Sequence, residues 1–574
     1  MKLLRVLCVL CGLIVPCAAL DREAFTFTNY DLNVRVEPEQ QRLGVRGKIT
    51  LRNDSTTPQK NVALQISSSL DWRSVQIGGT AVDFVTHEYT SDIDHTGSLS
   101  EAIVTLPREV PPKGTIDLDV GYEGVIPLDV TRLRRIGVAE DKARHTDWDQ
   151  ISKSFTALRG IGYVVWYPVA TESADLSEGN SVFETVGRWK AREAQAEMKI
   201  NLSNSRSTSD DPPILLCNGK GNRLIQTVSM AQVLMTDCSF SPLGEMVPAI
   251  VMAQYSALNR PLITIDYVAQ HKSGAESYAL AAELTAPVVT EWFGTPRQKV
   301  ETVELADPEA VPFESDAMLL TPLGNANSTV YELNAVHQLT HAAFFSPRPW
   351  IYEGLAHFAQ ALEREQQDGR RAALDFMGRH RTAIAGAEKV LAASHTQNEA
   401  ADESLINTNT EEFYRSKAMY VWWMLRDMVG DAALKKALAS YHADQDKETS
   451  YLQHLIEAQT HRDLQWFFDE WVYRDRGLPD FRVGSAYSRA KVDGGSIVTI
   501  TIENLGDAGA EVPVTLRMER GEVTKRLEVH AKSKAAVRIE ASSTPLEIVV
   551  NDGSMPESDL SNNNFKVPPP DGTK

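Results

Sequence analysis

What most limits the fold of this chain is its hydrophobic period, which changes twice along the sequence. From Asp21 to about residue 258 apolar residues alternate, as in LGVRGKITLRN, where Leu43, Val45, Ile49 and Leu51 fall on one face. Turn signals such as NDST, QIGGT, PPKG and CNGKGN separate such runs, and no long helical period is evident. This pattern predicts a β-sandwich-like N-terminal domain. After Pro261, PLITIDYV and KVETVEL read as strands, with AESYALAAELTAPVVTEWFG between them as a helix ending at Gly294. FESDAMLLTPLG adds a further short strand, and from Asn327 to about Gly477 helical spacing dominates. Alternation returns near Phe481, where Val498, Ile500 and Ile502 share a face in GGSIVTITIENLG. The short strands that follow suggest an immunoglobulin-like sandwich. The expected organisation is multidomain α+β: residues 21–258 a β domain, 259–480 a mostly helical α+β domain, and 481–574 a β-sandwich with a frayed tail. At 574 residues the chain is too long for one core.

The first twenty residues read as a signal peptide. Lys2 and Arg5 precede the apolar run LLRVLCVLCGLIV, and small residues follow at Cys17, Ala18 and Ala19. The run is too short to span a membrane comfortably, and no later segment has eighteen uninterrupted apolar residues. The chain is therefore expected to be exported, periplasmic or extracellular, without a membrane span. A lipoprotein modified at Cys17 is the alternative, although Pro16 fits it poorly. Cleavage near Ala19 leaves two cysteines, Cys217 and Cys238. In an oxidising compartment they are expected to form a disulfide, the alternative being two buried thiols. A formal charge of −19 argues against nucleic acid as a partner, because phosphates would be repelled.

The chemistry concentrates in HQLTHAAFFSPRPWIYEGLAHF, residues 337–358. His337 and His341, four residues apart in a helical run, project from one face about one turn apart, so both imidazoles can reach one tetrahedral zinc. Such a pair alone is weak support for a metal site. SPRP breaks the helix, and a second amphipathic helix opening at WIYEGLAHF can turn back over the first. That would bring Glu353 over the histidines as a third ligand. Two histidines and a glutamate leave a fourth position for water, which suits a catalytic zinc. His357, one turn beyond Glu353, either supports a ligand or flanks the site.

HQLTH followed by WIYEGLAHF resembles the aminopeptidase-N-like gluzincin metallopeptidases, in particular their bacterial peptidase-like branch. These carry H-E-x-x-H and then a W-x-x-E-G helix that supplies the third ligand. Further segments are similar in the same order: YDLNVRVEPEQQRLGVRGKITL, TEWFGTPRQKVETVEL, YRSKAMYVWWML and WFFDEWVYRDRGLPDF. The resemblance implies a thermolysin-like, mostly helical catalytic domain with zinc as cofactor. It makes His337, His341 and Glu353 the ligands and Tyr414 the hydroxyl that stabilises the oxyanion of the attacked peptide bond. The partner it implies is a peptide or protein segment lying in the cleft.

Two departures stand out. Gln338 occupies the position of the family's general base, and a carboxamide cannot take a proton from water at neutral pH. In FESDAMLL, alignment of Ala317 and Met318 with the strand that holds a substrate's free amine puts Leu319 and Leu320 where Glu and Asn are expected. Apolar side chains cannot hold an ammonium group, so aminopeptidase specificity is not expected, although the strand would still line a peptide cleft. Three readings remain: a zinc-binding protein with impaired hydrolysis, an active metallopeptidase with a substituted base, and a metal-free binding or scaffold protein.

Overall fold

A computed structural model describes residues 20–567, apart from residues 180, 207–212, 229–230, 245, 316, 325–326, 396–403, 409 and 493. The signal-peptide reading falls on residues 1–20 and so, except for Leu20, lies outside the described residues. Among those described, no helix is long and apolar enough to cross a membrane.

The N-terminal region is built on an eight-stranded sheet. At its centre Phe25–Glu37 runs parallel to Glu197–Arg206 and antiparallel to Arg42–Asn53, with Leu32 opposite Ile200 and Val34 opposite Val45. Leu32, Val34 and Val36 are buried while Asp31, Asn33 and Arg35 between them are exposed, as a half-buried strand requires. The buried face shares one core with the three-stranded sheet of Gln59–Ser67, Ser98–Val110 and Phe84–Thr90. Cys217 and Cys238 are joined in a disulfide, with Cα atoms 6.4 Å apart. It ties the strand Ile214–Cys217 of a small four-stranded sheet to Ala231–Phe240 of the large one.

The all-strand expectation for residues 21–258 needs correction. Thr131–Arg135, Glu140–Thr146 and Ser181–Glu193 are helical. In the last, Val182, Thr185, Trp189 and Glu193 are the buried positions. Their spacing of three and four is helical, but the polar members Thr185 and Glu193 hide the period from a reading based on apolar residues.

The central region opens with a five-stranded sheet. Its strands are β1 (Ser256–Asn259), β2 (Ile263–Tyr267), β3 (Val300–Glu304), β4 (Phe313–Ser315) and β5 (Met318–Thr321), in the order β1-β2-β3-β5-β4. β2, β3 and β5 are parallel, and β4 is an antiparallel edge. Helix α1 (Lys272–Phe293) packs on α2 (Ser328–Ala343), and α2 on α3 (Pro349–Asp368). The start of α2 is set by Asn327, whose side chain accepts a hydrogen bond from the Val330 N–H at 2.9 Å. Pro349 occupies the first turn of α3, where its missing N–H costs nothing.

Seven strands in two sheets close the chain, and Val498, Ile500, Val512, Val514 and Ile548 from both join the core of the helical body. Trp471 donates its indole N–H to the Gly509 carbonyl at 2.7 Å. Arg526 reaches both Asp427 and Glu511, so the last sheets are fastened to the helices by polar contacts as well.

Candidate metal centre

On α2, the Nε2 atoms of His337 and His341 approach to 3.1 Å, and both side chains are buried. Helix α3 lies against α2 and carries Glu353. Its Oε2 is 3.8 Å from His337 Nε2 and its Oε1 is 3.7 Å from His341 Nε2. On its other side α3 packs on α4 (Ala418–Val429), and Gly354 makes that packing feasible: a Cβ there would meet Ala418 Cβ at 2.7 Å. Trp350 stacks on Trp422 at a ring separation of 5.4 Å and fixes the same helix pair.

Two groups that the sequence reading passed over complete the cluster. Glu314, on the edge strand β4, places Oε2 3.0 Å from His337 Nε2. Arg415 donates from Nε to Glu353 Oε2 at 3.0 Å and also pairs with Glu411. The compact donor groups are Glu314, His337 and His341 on one side, and His337, Glu353 and His357 on the other. An acidic residue in a short edge strand beside the apolar run AMLL was the available signal for Glu314. Arg415, directly after Tyr414, had none.

Charge shapes the cluster. Burial pushes the Glu353 carboxyl up, but Arg415 and the neighbouring histidines outweigh it and hold the group well below the usual carboxylate range. For His337 burial opposes protonation, and the adjacent Glu314 carboxylate overcomes it and raises the imidazole pKa. Burial and the neighbouring His337 and Arg415 depress His357 well below the usual histidine range.

The donor set suits a metal such as zinc. Bonds of about 2.0–2.1 Å in tetrahedral geometry separate donors by roughly 3.3 Å. The two imidazole nitrogens stand close to that spacing, and the carboxylates ring them. His337 Nδ1 is buried without a hydrogen-bond partner among the described residues, and Nε2 is the nitrogen turned toward the carboxylates.

Gln338 is fully buried and faces away from this cluster, into the sheet and α1. Its Oε1 accepts from the Tyr278 hydroxyl at 2.9 Å and the Thr302 hydroxyl at 3.0 Å. Its Nε2 donates to the backbone carbonyls of Glu301 at 2.9 Å and Ala317 at 3.1 Å. Carbonyls can only accept, so the amide orientation follows from its partners. Every hydrogen-bonding position of the carboxamide is therefore committed.

Tyr414 lies on a π-helical segment, Glu412–Lys417, beside Arg415, and is half-buried against the helical core. Of residues 317–320, expected along a peptide cleft, Ala317 is half-buried and the other three are buried. Met318, Leu319 and Leu320 are buried in an inner strand, Met318 and Leu320 in a core with Trp148 and Phe155, and Leu319 in the main core. Strand β5 is flanked on both sides, and the Ala317 carbonyl just before it accepts from Gln338 Nε2.

No protein-family profile and no curated protein matches the chain. Among solved structures, the chain is similar to Legionella pneumophila aminopeptidase A in complex with aspartic acid, at 12% identity and a TM-score of 0.58. That match covers 93% of this chain but 59% of the other, so the chain spans well under two thirds of that protein's length. Two structures of an M1 zinc metallopeptidase from Deinococcus radiodurans, one of them a mutant, match at 16% identity with TM-scores of 0.48 and 0.45. They cover 80% and 76% of this chain, and 96% and 91% of their own. At these identities the likeness speaks for the fold alone: a multidomain α+β architecture shared with an aminopeptidase.

Proposed function

We propose that this is an exported zinc-binding protein of metallopeptidase fold in which peptide-bond hydrolysis is impaired. His337, His341 and Glu353 hold the metal. Bound there, zinc would supply Lewis acidity. The observation that carries the reading is the commitment of Gln338. A buried carboxamide bonded to Tyr278, Thr302 and two backbone carbonyls neither takes a proton nor turns toward the histidines to orient water. General acid–base catalysis contributes about 10²–10⁴-fold, and that contribution is missing from position 338. Tyr414 is assigned to the oxyanion side of the cleft, and a peptide or protein segment is the partner. Export rests on the N-terminal sequence pattern.

A second reading is favoured by Glu314, whose carboxylate stands beside His337. In that reading Glu314 replaces the base and the protein is an active peptidase without aminopeptidase specificity. The zinc-loaded chain, assayed against a mixed peptide library with mass-spectrometric detection, separates the two. The first reading expects turnover at least about 10²-fold below that of a peptidase with an intact base. Robust cleavage, abolished by Glu314→Gln, would replace it with the second.

A further inference from the structure

The geometry points to Glu314 as a fourth protein ligand, which closes the metal site instead of leaving a position for water. This inference rests on the zinc reading and goes beyond it. Of the two carboxylates, Glu314 lies nearer a histidine donor: its Oε2 is 3.0 Å from His337 Nε2, against 3.8 Å and 3.7 Å for the contacts of Glu353. A spacing of 3.0 Å is within reach of two donors on one ion, and in the metal-free chain it is also that of a hydrogen bond between imidazole and carboxylate. A base acting on a bound water would sit one water diameter further out.

The placement is built in by the strand. Successive side chains of β4 alternate between its faces. Phe313 packs edge-on against Tyr163 at 5.5 Å, and Ser315 Oγ accepts from Asn218 Nδ2 at 2.8 Å, so both neighbours are anchored on the N-terminal region. Glu314 is left on the opposite face, toward α2. Its second oxygen, Oε1, is buried without a hydrogen-bond partner among the described residues, while the side chain as a whole keeps 20% of its surface exposed. A buried carboxylate oxygen left unpaired in this way would be satisfied by a cation bound beside it.

Charge balance agrees. Arg415 occupies Glu353 Oε2, which diverts part of one ligand's negative charge away from the ion. A second carboxylate restores it. Two imidazoles and two carboxylates then surround the metal, and four protein donors are the mark of a closed, non-hydrolytic site. A closed site and the carboxamide at 338 describe the same loss of function from two directions.

Cobalt(II) substituted into the full mature chain provides a readout independent of activity. The inference expects the visible spectrum of a four-coordinate ion that added azide does not change. In Glu314→Gln the spectrum becomes azide-sensitive, and metal affinity falls by at least about tenfold, the lower end of what losing even a supporting group costs. Azide shifting the wild-type spectrum would by itself overturn the inference while leaving the zinc reading intact, and so would an unchanged metal affinity in a folded Glu314→Gln. A chain that takes up no metal at all would overturn both. The wild-type azide response needs no variant, so a poorly folded Glu314→Gln does not spoil the test.

Discussion

The Tyr278 hydroxyl donates to Gln338 Oε1 at 2.9 Å, fastening Gln338 to α1 and not to His337 and His341. On the other side of the same amide, two backbone carbonyls accept from Nε2. Gln338 is thus part of the joint between helix and sheet.

A glutamate at 338 would therefore not simply restore catalysis. Gln338→Glu places a buried carboxyl oxygen against the carbonyls of Glu301 and Ala317, which offer no donor. The expected result is destabilisation of about 3 kcal/mol, read by denaturant unfolding, with less than about tenfold gain in peptide hydrolysis. A gain of about 10²-fold at unchanged stability would contradict this account of position 338.

Arg415 donates to Glu353 Oε2, so on the zinc reading it would compete with the metal for that carboxylate. Replacing it, as in Arg415→Met, leaves Glu353 and Glu411 without their cation, so the metal-free chain should melt at a lower temperature. Added zinc should recover more stability in the variant than in the wild type, because binding to the folded state alone stabilises it. Equal zinc-induced shifts in melting temperature would show that Arg415 and the metal do not share the carboxylate.

Tyr414→Phe removes only a hydroxyl. If that hydroxyl faces the oxyanion, the residual hydrolysis of the zinc-loaded chain should fall by about 10²-fold while zinc content stays the same. An unchanged residual rate would leave Tyr414 as a packing residue.

Away from the site, Glu193 makes stability depend on pH. Burial raises its carboxyl from 4.5 to about 8 in the folded chain, against the opposing pull of Arg192. Between those values the folded state binds more protons than the unfolded, so stability falls as pH rises from about 4.5 to about 8 and levels off above. Glu193→Gln should flatten this slope and raise the melting temperature at pH 8 more than at pH 5. Parallel melting curves for the two proteins across that range would rule the assignment out.

The disulfide closes a loop with a sequence separation of 21 between Cys217 and Cys238. Replacing both cysteines by alanine should cost about 3 kcal/mol in denaturant unfolding. The unreduced, denatured mature chain should show no free thiol in a titration.

The legible part of this molecule was local. Alternation identified Leu43, Val45, Ile49 and Leu51 as one buried face, and helical spacing opened the helical region at Asn327. The spacing of His337 and His341 guaranteed their proximity once that helix formed. The break at SPRP turned Glu353 back toward them. What escaped depends on distant partners. Gln338 points into the sheet because Thr302, Tyr278 and two carbonyls wait there, and none adjoins it in sequence. Glu314 joins the histidines only because β4 hangs on the outer edge of the sheet, which put Met318 to Leu320 in the core instead. The helix Ser181–Glu193 was missed because polar Thr185 and Glu193 occupy two of its four buried positions.

The measurement that bears most directly on the central claim is the zinc content of the purified mature chain, by elemental analysis after dialysis, with His337→Ala alongside. The account predicts about one zinc per wild-type chain, retained at micromolar free metal, and almost none in the variant. Absence of zinc from a folded wild-type chain that has been supplied with it would contradict the claim.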